Sequence, residues 1–238
     1  MNLLITICAR GGSKGIPRKN VKKLNGIPLL HYTLSQAINF AEKYNGDVQL
    51  STDADYIKEC AAQLGFRTDY IRPNSLSSDT AGKTDAIRDA WRFSENVNSK
   101  LYDYVLDLDV TSPLRTLEDL EIAFDELKSK PNALNIFSVN PAARNPYFNM
   151  VELHDDGFVR VVKNVGDIKS RQQAPPVYDM NASFYFLSRE FLTGKHAVST
   201  TERSLAYVMP HICFDLDEQL DFTTMGLMIE NNLLDFEI

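Results

Sequence analysis

A stretch rich in glycine and positive charge near the N-terminus could bind phosphate. The thirteen residues from Cys8 to Asn20 contain three glycines and four Lys or Arg residues, and they follow an apolar run, 3–7, that predicts a buried β-strand. Glycines let backbone N–H groups approach an anion, and the cations add positive charge. The stretch matches neither the Walker loop nor the G-x-G-x-x-G pattern. It predicts a polyphosphate-binding loop, with a solvated basic turn as the alternative.

Two Asp-x-Asp pairs could hold a metal ion. They are Asp107 with Asp109 and Asp215 with Asp217. In an extended segment, side chains at positions i and i+2 share a face, so each pair can present two carboxylates to a hard cation. Mg²⁺ favours one or two carboxylates together with phosphate oxygens. A single Asp-x-Asp pair is weak evidence for a metal site. We expect Asp109, Asp215 and Asp217 to be the ligands of Mg²⁺ or Mn²⁺, and Asp107 to face solvent.

Alternating strand and helix patterns predict the elements that position these residues. Strands are predicted at 3–7, 48–51, 68–71, 102–108 and 133–139, and helices at 29–43, 54–64, 84–93 and 117–128. Thr52 and Asp53 are predicted to cap the second helix, and Thr116 the fourth. This order predicts an α/β protein whose parallel sheet is covered on both faces. Ligands of such sheets bind at the carboxyl ends of the strands.

The second half of the chain differs in its proline content and in its pattern of predicted elements. Residues 140–180 are punctuated by proline, and two β-like runs, 148–153 and 158–163, flank a turn. Strands at 182–187 and 205–209 and a helix over 217–234 follow. We predict one domain, 1–238, in which residues 140–180 are a hairpin insertion that covers a site or builds an oligomer interface.

Composition excludes several classes of protein. The 238 residues are 44% hydrophobic and 24% charged, with a formal charge of −7, which argues against a general nucleic-acid or anionic-membrane binder. No apolar run reaches about 18 residues, and the N-terminus has no secretory signal pattern. Three widely spaced cysteines favour a reducing compartment. We expect a cytoplasmic protein.

The chain resembles the acylneuraminate cytidylyltransferases, the CMP-sialic acid synthetases. Segments similar to the family's motifs occur in the family's order: 9–20, 51–53, 72–73, 78–81, 111–115, 171–173 and 215–217. The resemblance implies a Rossmann-like nucleotidyltransferase fold, a three-layer sandwich with a mostly parallel sheet and a small β-hairpin dimerisation insertion. It implies a homodimer in which each hairpin contributes to the partner's site. The implied reaction joins CTP and a nine-carbon 2-keto acid sugar, giving CMP-sugar and pyrophosphate.

The resemblance also implies roles for individual residues. The triphosphate-handling loop and its neighbours would be Arg10, Gly11, Gly12, Ser13, Lys19 and Asn20. The cytidine pocket would include Ala9, Arg72 and Ala81. The metal carboxylates would be Asp215 and Asp217. The sugar side would include Arg171, Gln172, Asn181 and Tyr185.

The expected chemistry is attack of the sugar's anomeric hydroxyl on the α-phosphorus, with pyrophosphate leaving in line. Such a reaction needs alignment and neutralised phosphate charge. Arg10 and Lys19 would supply that charge, and Asp217 would take the hydroxyl proton.

The sequence departs from the family pattern at three places. Asp109 stands where well-known sialic acid enzymes have Gln, and it could add a metal ligand as in the related Kdo-activating branch. Phe148 and Asp179 stand where some of those enzymes have basic residues. The sugar therefore stays open among N-acetylneuraminate, legionaminate, pseudaminate and other ulosonic acids.

Two alternatives belong to other classes. A GT-A glycosyltransferase also combines an α/β sheet with an Asp-x-Asp metal site, and a non-catalytic nucleotide-binding protein could share the fold. Release of pyrophosphate from CTP distinguishes cytidylyl transfer from both.

Overall fold

The computed structural model describes residues 1–12 and 15–238. The strands are β1 (Leu3–Cys8), β2 (Lys23–Leu24), β3 (Ile27–Pro28), β4 (Asp47–Ser51), β5 (Tyr104–Leu108), β6 (Asn135–Pro141), β7 (Val151–Leu153), β8 (Val159–Val161), β9 (Tyr178–Ser188) and β10 (Ser204–Val208). The helices are α1 (Leu29–Tyr44), α2 (Asp55–Ala62), α3 (Lys83–Asn98), α4 (Leu117–Ser129), α5 (Arg189–Thr193) and α6 (Gln219–Glu230).

Six of the strands form one sheet in the order β4-β1-β5-β9-β6-β10. β1 is parallel to β4 and β5, and β6 is parallel to β10. β9 runs antiparallel between β5 and β6, so that Phe186 lies opposite both Leu106 and Ile136. The sheet is therefore mostly parallel, as predicted.

The sheet is covered by helices on both faces. Side chains alternate along β1, so Leu3, Ile5 and Ile7 pack with α1, α2 and α4 in one core. Leu4 packs in a second core with Trp91 of α3. The two cores define three layers, helix on sheet on helix, as predicted.

The start of α4 follows the predicted capping chemistry, whereas the start of α2 does not. Thr116 accepts a hydrogen bond from the backbone N–H of Asp119, whose side chain in turn accepts from the N–H of Thr116. For α2 the cap residue is Ala54, not Thr52 or Asp53. The prediction for α2 was wrong because the Asp53 carboxylate accepts instead from the N–H of Gly11, at 2.8 Å.

The predicted strand at 68–71 was wrong. Across the described residues, that segment forms no strand beside β4. The Thr68 hydroxyl donates to the Leu50 carbonyl oxygen at 3.2 Å and accepts from the Tyr70 N–H. These side-chain bonds occupy groups that a strand ladder would use.

Strands β7 and β8 form a separate antiparallel hairpin within the predicted insertion. Its apolar side chains face outward: Leu153 is 74% exposed and Phe158 is 70% exposed. Elsewhere in the described chain, each helix is too short or too polar to cross a bilayer.

Candidate functional site

Two cavities open where β4, β1 and β5 end side by side. We name them the Lys19 cavity, of about 310 Å³, and the Arg72 cavity, of about 230 Å³. The Lys19 cavity is lined by Cys8, Arg10, Gly12, Gly15, Lys19, Asn20, Asp109, Thr111 and Asp217. The Arg72 cavity is lined by Cys8, Arg10, Arg72, Leu76, Ser78, Asp79, Ala81, Gly82, Lys83, Ala86 and Asp109. Both lie at the carboxyl edge expected for ligands of a parallel sheet.

We call the described residues 8–12 and 15–20 the glycine loop, and its residue Gly11 packs on the start of α2. The N–H of Gly11 donates to Asp53, and its carbonyl oxygen accepts from the Tyr56 hydroxyl at 2.7 Å. A Cβ atom on Gly11 would lie 2.9 Å from Cβ of Ala54, whereas a Cβ on Gly12 would meet open space. The Gly11 N–H is thus engaged inside the protein. The predicted site residue Ser13 lies outside the described residues.

The second half of the loop packs on the 215–217 segment. A Cβ atom on Gly15 would lie 2.2 Å from the carbonyl oxygen of Asp217, so only glycine fits this contact. Lys19 Nζ donates to the carbonyl oxygen of Leu216 and lies 3.7 Å from Asp217 Oδ1. Asn20 Nδ2 donates to the Arg10 carbonyl oxygen at 3.0 Å. Gly15, Lys19, Asn20 and Asp217 therefore form one wall of the Lys19 cavity.

Arg10 lies between the two cavities and faces the segment after residue 73. Its Nη2 is 2.9 Å from Asp79 Oδ1, and its Nη1 donates to the Ser77 carbonyl oxygen at 3.4 Å. One third of its side chain is exposed. A bound phosphate would compete with Asp79 for this guanidinium.

Arg72 is anchored to the end of β4. It is buried, with Nε donating to Ser51 Oγ at 2.9 Å and Nη2 to the Ser51 carbonyl oxygen at 2.8 Å. Ala9 is also buried, and its N–H donates to the Ser51 carbonyl oxygen. Ala81 lines the same cavity as Arg72. The structure thus brings the predicted cytidine-side residues together, with Ala9 behind the cavity wall.

A lysine that the sequence reasoning missed holds the first Asp-x-Asp pair. Lys83 Nζ lies 2.7 Å from Asp109 Oδ2 and 3.1 Å from Asp107 Oδ2, the second contact being an ion pair without hydrogen-bond geometry. Asp107 is fully buried, so the expectation that it faces solvent was wrong; its Oδ1 accepts from the Thr6 hydroxyl. The one sequence signal for Lys83 is a cation two residues after the 78–81 segment.

Charge on Asp109 is stabilised despite burial. Burial raises its pKa, but Lys83 and hydrogen bonds from the N–H and hydroxyl of Thr111 outweigh this and lower the pKa to about 2. For Lys83, burial lowers the pKa, and Asp109 and Asp107 raise it by more. The pair is therefore ionised at neutral pH.

Arg115 fixes the loop that carries Asp109. It is fully buried, and burial lowers its pKa to about 10. Its Nη1 donates to the carbonyl oxygens of Asp109, Ser112 and Ser183 at 2.8–3.0 Å, and its Nη2 to the Thr33 hydroxyl. One guanidinium thus ties together the end of β5, β9 and α1.

The second Asp-x-Asp pair is partly compensated by Lys19, whose Nζ lies 3.7 Å from Asp217 Oδ1. Burial raises the pKa of Asp215, and the charges of Asp109 and Asp217 act in the same direction. Oxygen donors of this kind suit a hard divalent cation, which would relieve the repulsion. Within residues 1–12 and 15–238, no group of three or more His, Cys, Asp or Glu side chains is arranged to hold a metal ion by itself.

The predicted sugar-side residues do not all meet. Asn181 and Tyr185 are buried in β9, and Asn181 accepts from Ser138 Oγ. Arg171 and Gln172 are exposed and line a different cavity, where Arg171 donates to two backbone carbonyl oxygens. In the described chain, Arg171 and Gln172 therefore lie apart from the Lys19 and Arg72 cavities.

Comparisons with known proteins give the family. Residues 4–234 match the family described as "Cytidylyltransferase". The chain is 38% identical over 233 residues to post-translational flagellin modification protein B of Campylobacter coli, covering 97% of both chains. It is 36% identical to CMP-N,N'-diacetyllegionaminic acid synthase of Campylobacter jejuni, covering 95% of this chain and 94% of that protein. It is also 36% identical to a pseudaminic acid cytidylyltransferase of Campylobacter jejuni, covering 98% of both.

A solved structure gives the same fold. A CMP:2-keto-3-deoxy-manno-octonic acid synthetase complexed with CTP matches with a TM-score of 0.68 at 14% identity, covering 98% of this chain and 100% of that one. This match confirms the predicted Rossmann-like α/β architecture.

Proposed function

This chain belongs to the cytidylyltransferase family, and we propose that it transfers CMP from CTP to an ulosonic acid, releasing pyrophosphate. The observation that carries the proposal is the pair of adjoining cavities at the carboxyl edge of the sheet, which share Arg10 and Asp109. A nucleotide extends over both a base and a triphosphate, so two joined cavities of different lining suit it. The family match favours this reaction over glycosyl transfer and over a non-catalytic role.

We assign different parts of CTP to the two cavities. We assign the triphosphate to the Lys19 cavity, where Arg10 and Lys19 neutralise charge on nonbridging and leaving oxygens. We assign the cytidine to the Arg72 cavity, beside Arg72 and Ala81. Asp217, which is exposed at the rim, is our candidate for accepting the proton of the sugar's anomeric hydroxyl.

We propose that Mg²⁺ or Mn²⁺ is held by Asp215 and Asp217. Mg²⁺ is bound by one or two carboxylates that are completed by substrate phosphates, and the raised pKa of Asp215 reflects burial and negative charge that a cation would offset. When bound, the ion would supply positive charge to the phosphates. Asp109, engaged by Lys83 and Thr111, is the weaker candidate ligand.

A substitution at Asp215 tests this assignment. Asp215→Ala should abolish turnover that depends on Mg²⁺, because one of two carboxylates is lost. Asp235→Ala, a carboxylate in the C-terminal tail, is the matched control. Titration of activity against Mg²⁺ would contradict the assignment if Asp215→Ala followed the wild-type curve.

We propose a nine-carbon sialic-acid-like sugar as the acceptor. Two relatives whose names specify legionaminic and pseudaminic acid are each 36% identical to this chain, so similarity does not separate these two sugars. Phe148 and Asp179, in place of basic residues, favour such sugars over N-acetylneuraminate, whose conversion defines EC 2.7.7.43.

We propose that residues 140–180 pair with a second copy of the chain. The support is the outward-facing apolar surface of β7 and β8 and the separation of Arg171 from the cavities of its own chain. In a homodimer, Arg171 and Gln172 would reach the sugar in the partner's site. Sedimentation should give a dimer, and Phe158→Asp should give a monomer with lower activity; an active wild-type monomer would overturn the shared site.

We propose the cytosol as the location of the reaction. The support is that Cys8, Cys60 and Cys213 are all free thiols, as is usual in a reducing compartment.

The direct test is a pyrophosphate-release screen. CTP, UTP, ATP and GTP are each combined with N-acetylneuraminate, N,N'-diacetyllegionaminate, pseudaminate and 3-deoxy-manno-octulosonate. Release should require CTP and one of the nine-carbon sugars. The proposal would be contradicted if pyrophosphate were released from UTP, ATP or GTP but not from CTP. It would also be contradicted if none of the sugars supported release from CTP.

A further inference from the structure

Lys83 lines the Arg72 cavity and contacts Asp109, which lines both cavities. It is the first residue of α3, and its side chain is 30% exposed. Its ammonium lies 2.7 Å from Asp109 Oδ2, 3.1 Å from Asp107 Oδ2 and 4.7 Å from the centroid of the Tyr185 ring. The charged end of the side chain is thus enclosed by groups from β5 and β9.

The two carboxylates are held in place by other bonds. Asp107 Oδ1 accepts from the Thr6 hydroxyl at 2.8 Å, and Asp109 Oδ1 accepts from Thr111 at 2.8 Å. Each carboxylate therefore directs its second oxygen at Lys83. Asp109 also lines both cavities, so a nucleotide that spans them passes Asp109, with Asp107 buried behind it.

Lys83 reduces the electrostatic repulsion that these two carboxylates would exert on a bound triphosphate. A triphosphate carries several negative charges, and two fixed carboxylates beside it would repel it over a short distance in a partly buried site. Burial also makes an unpaired carboxylate costly. A cation between Asp107 and Asp109 reduces the net charge of the wall from −2 to −1.

We propose that Lys83 is a positioning residue that offsets one of the two negative charges of the Asp107–Asp109 pair and so makes this wall compatible with a bound triphosphate. The proposal rests on the proposed function, because it takes CTP as the ligand. It assigns to Lys83 an action through Asp109. Direct contact of Lys83 with the nucleotide is the competing explanation.

A double-mutant cycle separates the two explanations. The dissociation constant of CTP is measured by calorimetry at fixed Mg²⁺ for the wild type, Lys83→Met, Asp109→Asn and the double variant. Lys83→Met should bind CTP about tenfold more weakly than the wild type. The double variant should bind CTP less than about threefold more weakly than Asp109→Asn, because coupling between contacting charges is of this order. An equal loss in both backgrounds, or no loss in Lys83→Met, would overturn the proposal.

Three further variants control for structure. Lys83→Arg keeps the charge and should bind CTP within about threefold of the wild type. Lys83→Gln replaces Lys83→Met in the cycle if the latter does not fold. Lys100→Met removes a lysine whose Nζ is 2.7 Å from Asp47 Oδ2 and lies over the Tyr102 ring. This lysine is near the amino ends of the strands, away from the cavities, so its loss should leave the dissociation constant of CTP unchanged. A comparable loss in Lys100→Met would show a general effect of charge and overturn the proposal.

The wild type separates this inference from the proposed function. If the wild type binds CTP and activates no ulosonic acid, the proposed reaction fails while the cycle still reports on Lys83. If the wild type is active and Lys83→Met binds CTP normally, the role of Lys83 alone fails.

Discussion

Replacement of Lys19 by methionine should impair use of CTP strongly. Lys19 Nζ donates to the carbonyl oxygen of Leu216, and only 13% of its side chain is exposed. Methionine retains an apolar stem and removes the ammonium. The variant therefore loses both a charge that faces the cavity and the bond that holds the glycine loop to the 215–217 segment.

The size of the effect follows from that bond. A hydrogen bond to a charged group contributes about 1.5–3 kcal/mol, and water has little access to replace this one. With about 1.4 kcal/mol per factor of ten, kcat/KM for CTP should fall roughly 10- to 150-fold.

The assay is pyrophosphate release at varied CTP and saturating sugar. Lys22→Met is the matched control, because Lys22 Nζ donates to Gln219 Oε1 at 2.6 Å and lies over the Phe222 ring, outside the lining of both cavities. It should stay within about threefold of the wild type. Thermal unfolding of both variants checks that the fold is retained. A Lys19→Met enzyme with wild-type kcat/KM would refute the reasoning.

Three other substitutions test separate contacts. Asp79→Asn should lower the KM for CTP severalfold, because phosphate no longer competes with a carboxylate 2.9 Å from Arg10; a raised KM would contradict the competition. Gly15→Ala should lower the melting temperature, because its Cβ would meet a backbone oxygen at 2.2 Å, whereas Gly12→Ala meets open space and should not. Equal melting temperatures would refute this steric reading. Although burial raises the pKa of Asp119, hydrogen bonds lower it overall, so its contribution to stability is present above its unfolded pKa of about 4 and is lost as the pH falls. Asp119→Asn should therefore be less stable at pH 7 and show a smaller further loss between pH 5 and 3, measured by urea unfolding; an unchanged pH profile would contradict the assignment.

Local signals in the sequence predicted much of the fold. The spacing of apolar residues gives α1 within one residue, and Thr116 as the cap residue gives the start of α4. These features depend on contacts within one or two helical turns. By contrast, the 68–71 segment has the alternation of a strand, but the Thr68 hydroxyl donates a hydrogen bond to β4. Local sequence does not determine which strand, if any, a segment pairs with.

Non-local contacts explain what was missed at the site. The antiparallel placement of β9 between β5 and β6 is what brings Tyr185 over Lys83, and no periodicity reports strand direction. Asp107 was expected to face solvent, with Asp109 as the better ligand at the strand end; its burial is accompanied by an ion pair with a lysine of α3, 24 residues earlier in the chain. Arg10, Lys19 and Asn20, which all line the Lys19 cavity, could be selected from the sequence because they belong to one continuous stretch of the chain.

The most direct test of the central claim is ³¹P NMR of the complete reaction. With CTP, Mg²⁺ and the accepted nine-carbon sugar, the three CTP resonances should disappear, and a phosphodiester resonance and pyrophosphate should appear in equal amounts. Formation of free CMP without a phosphodiester, or CTP that stays intact, would contradict it.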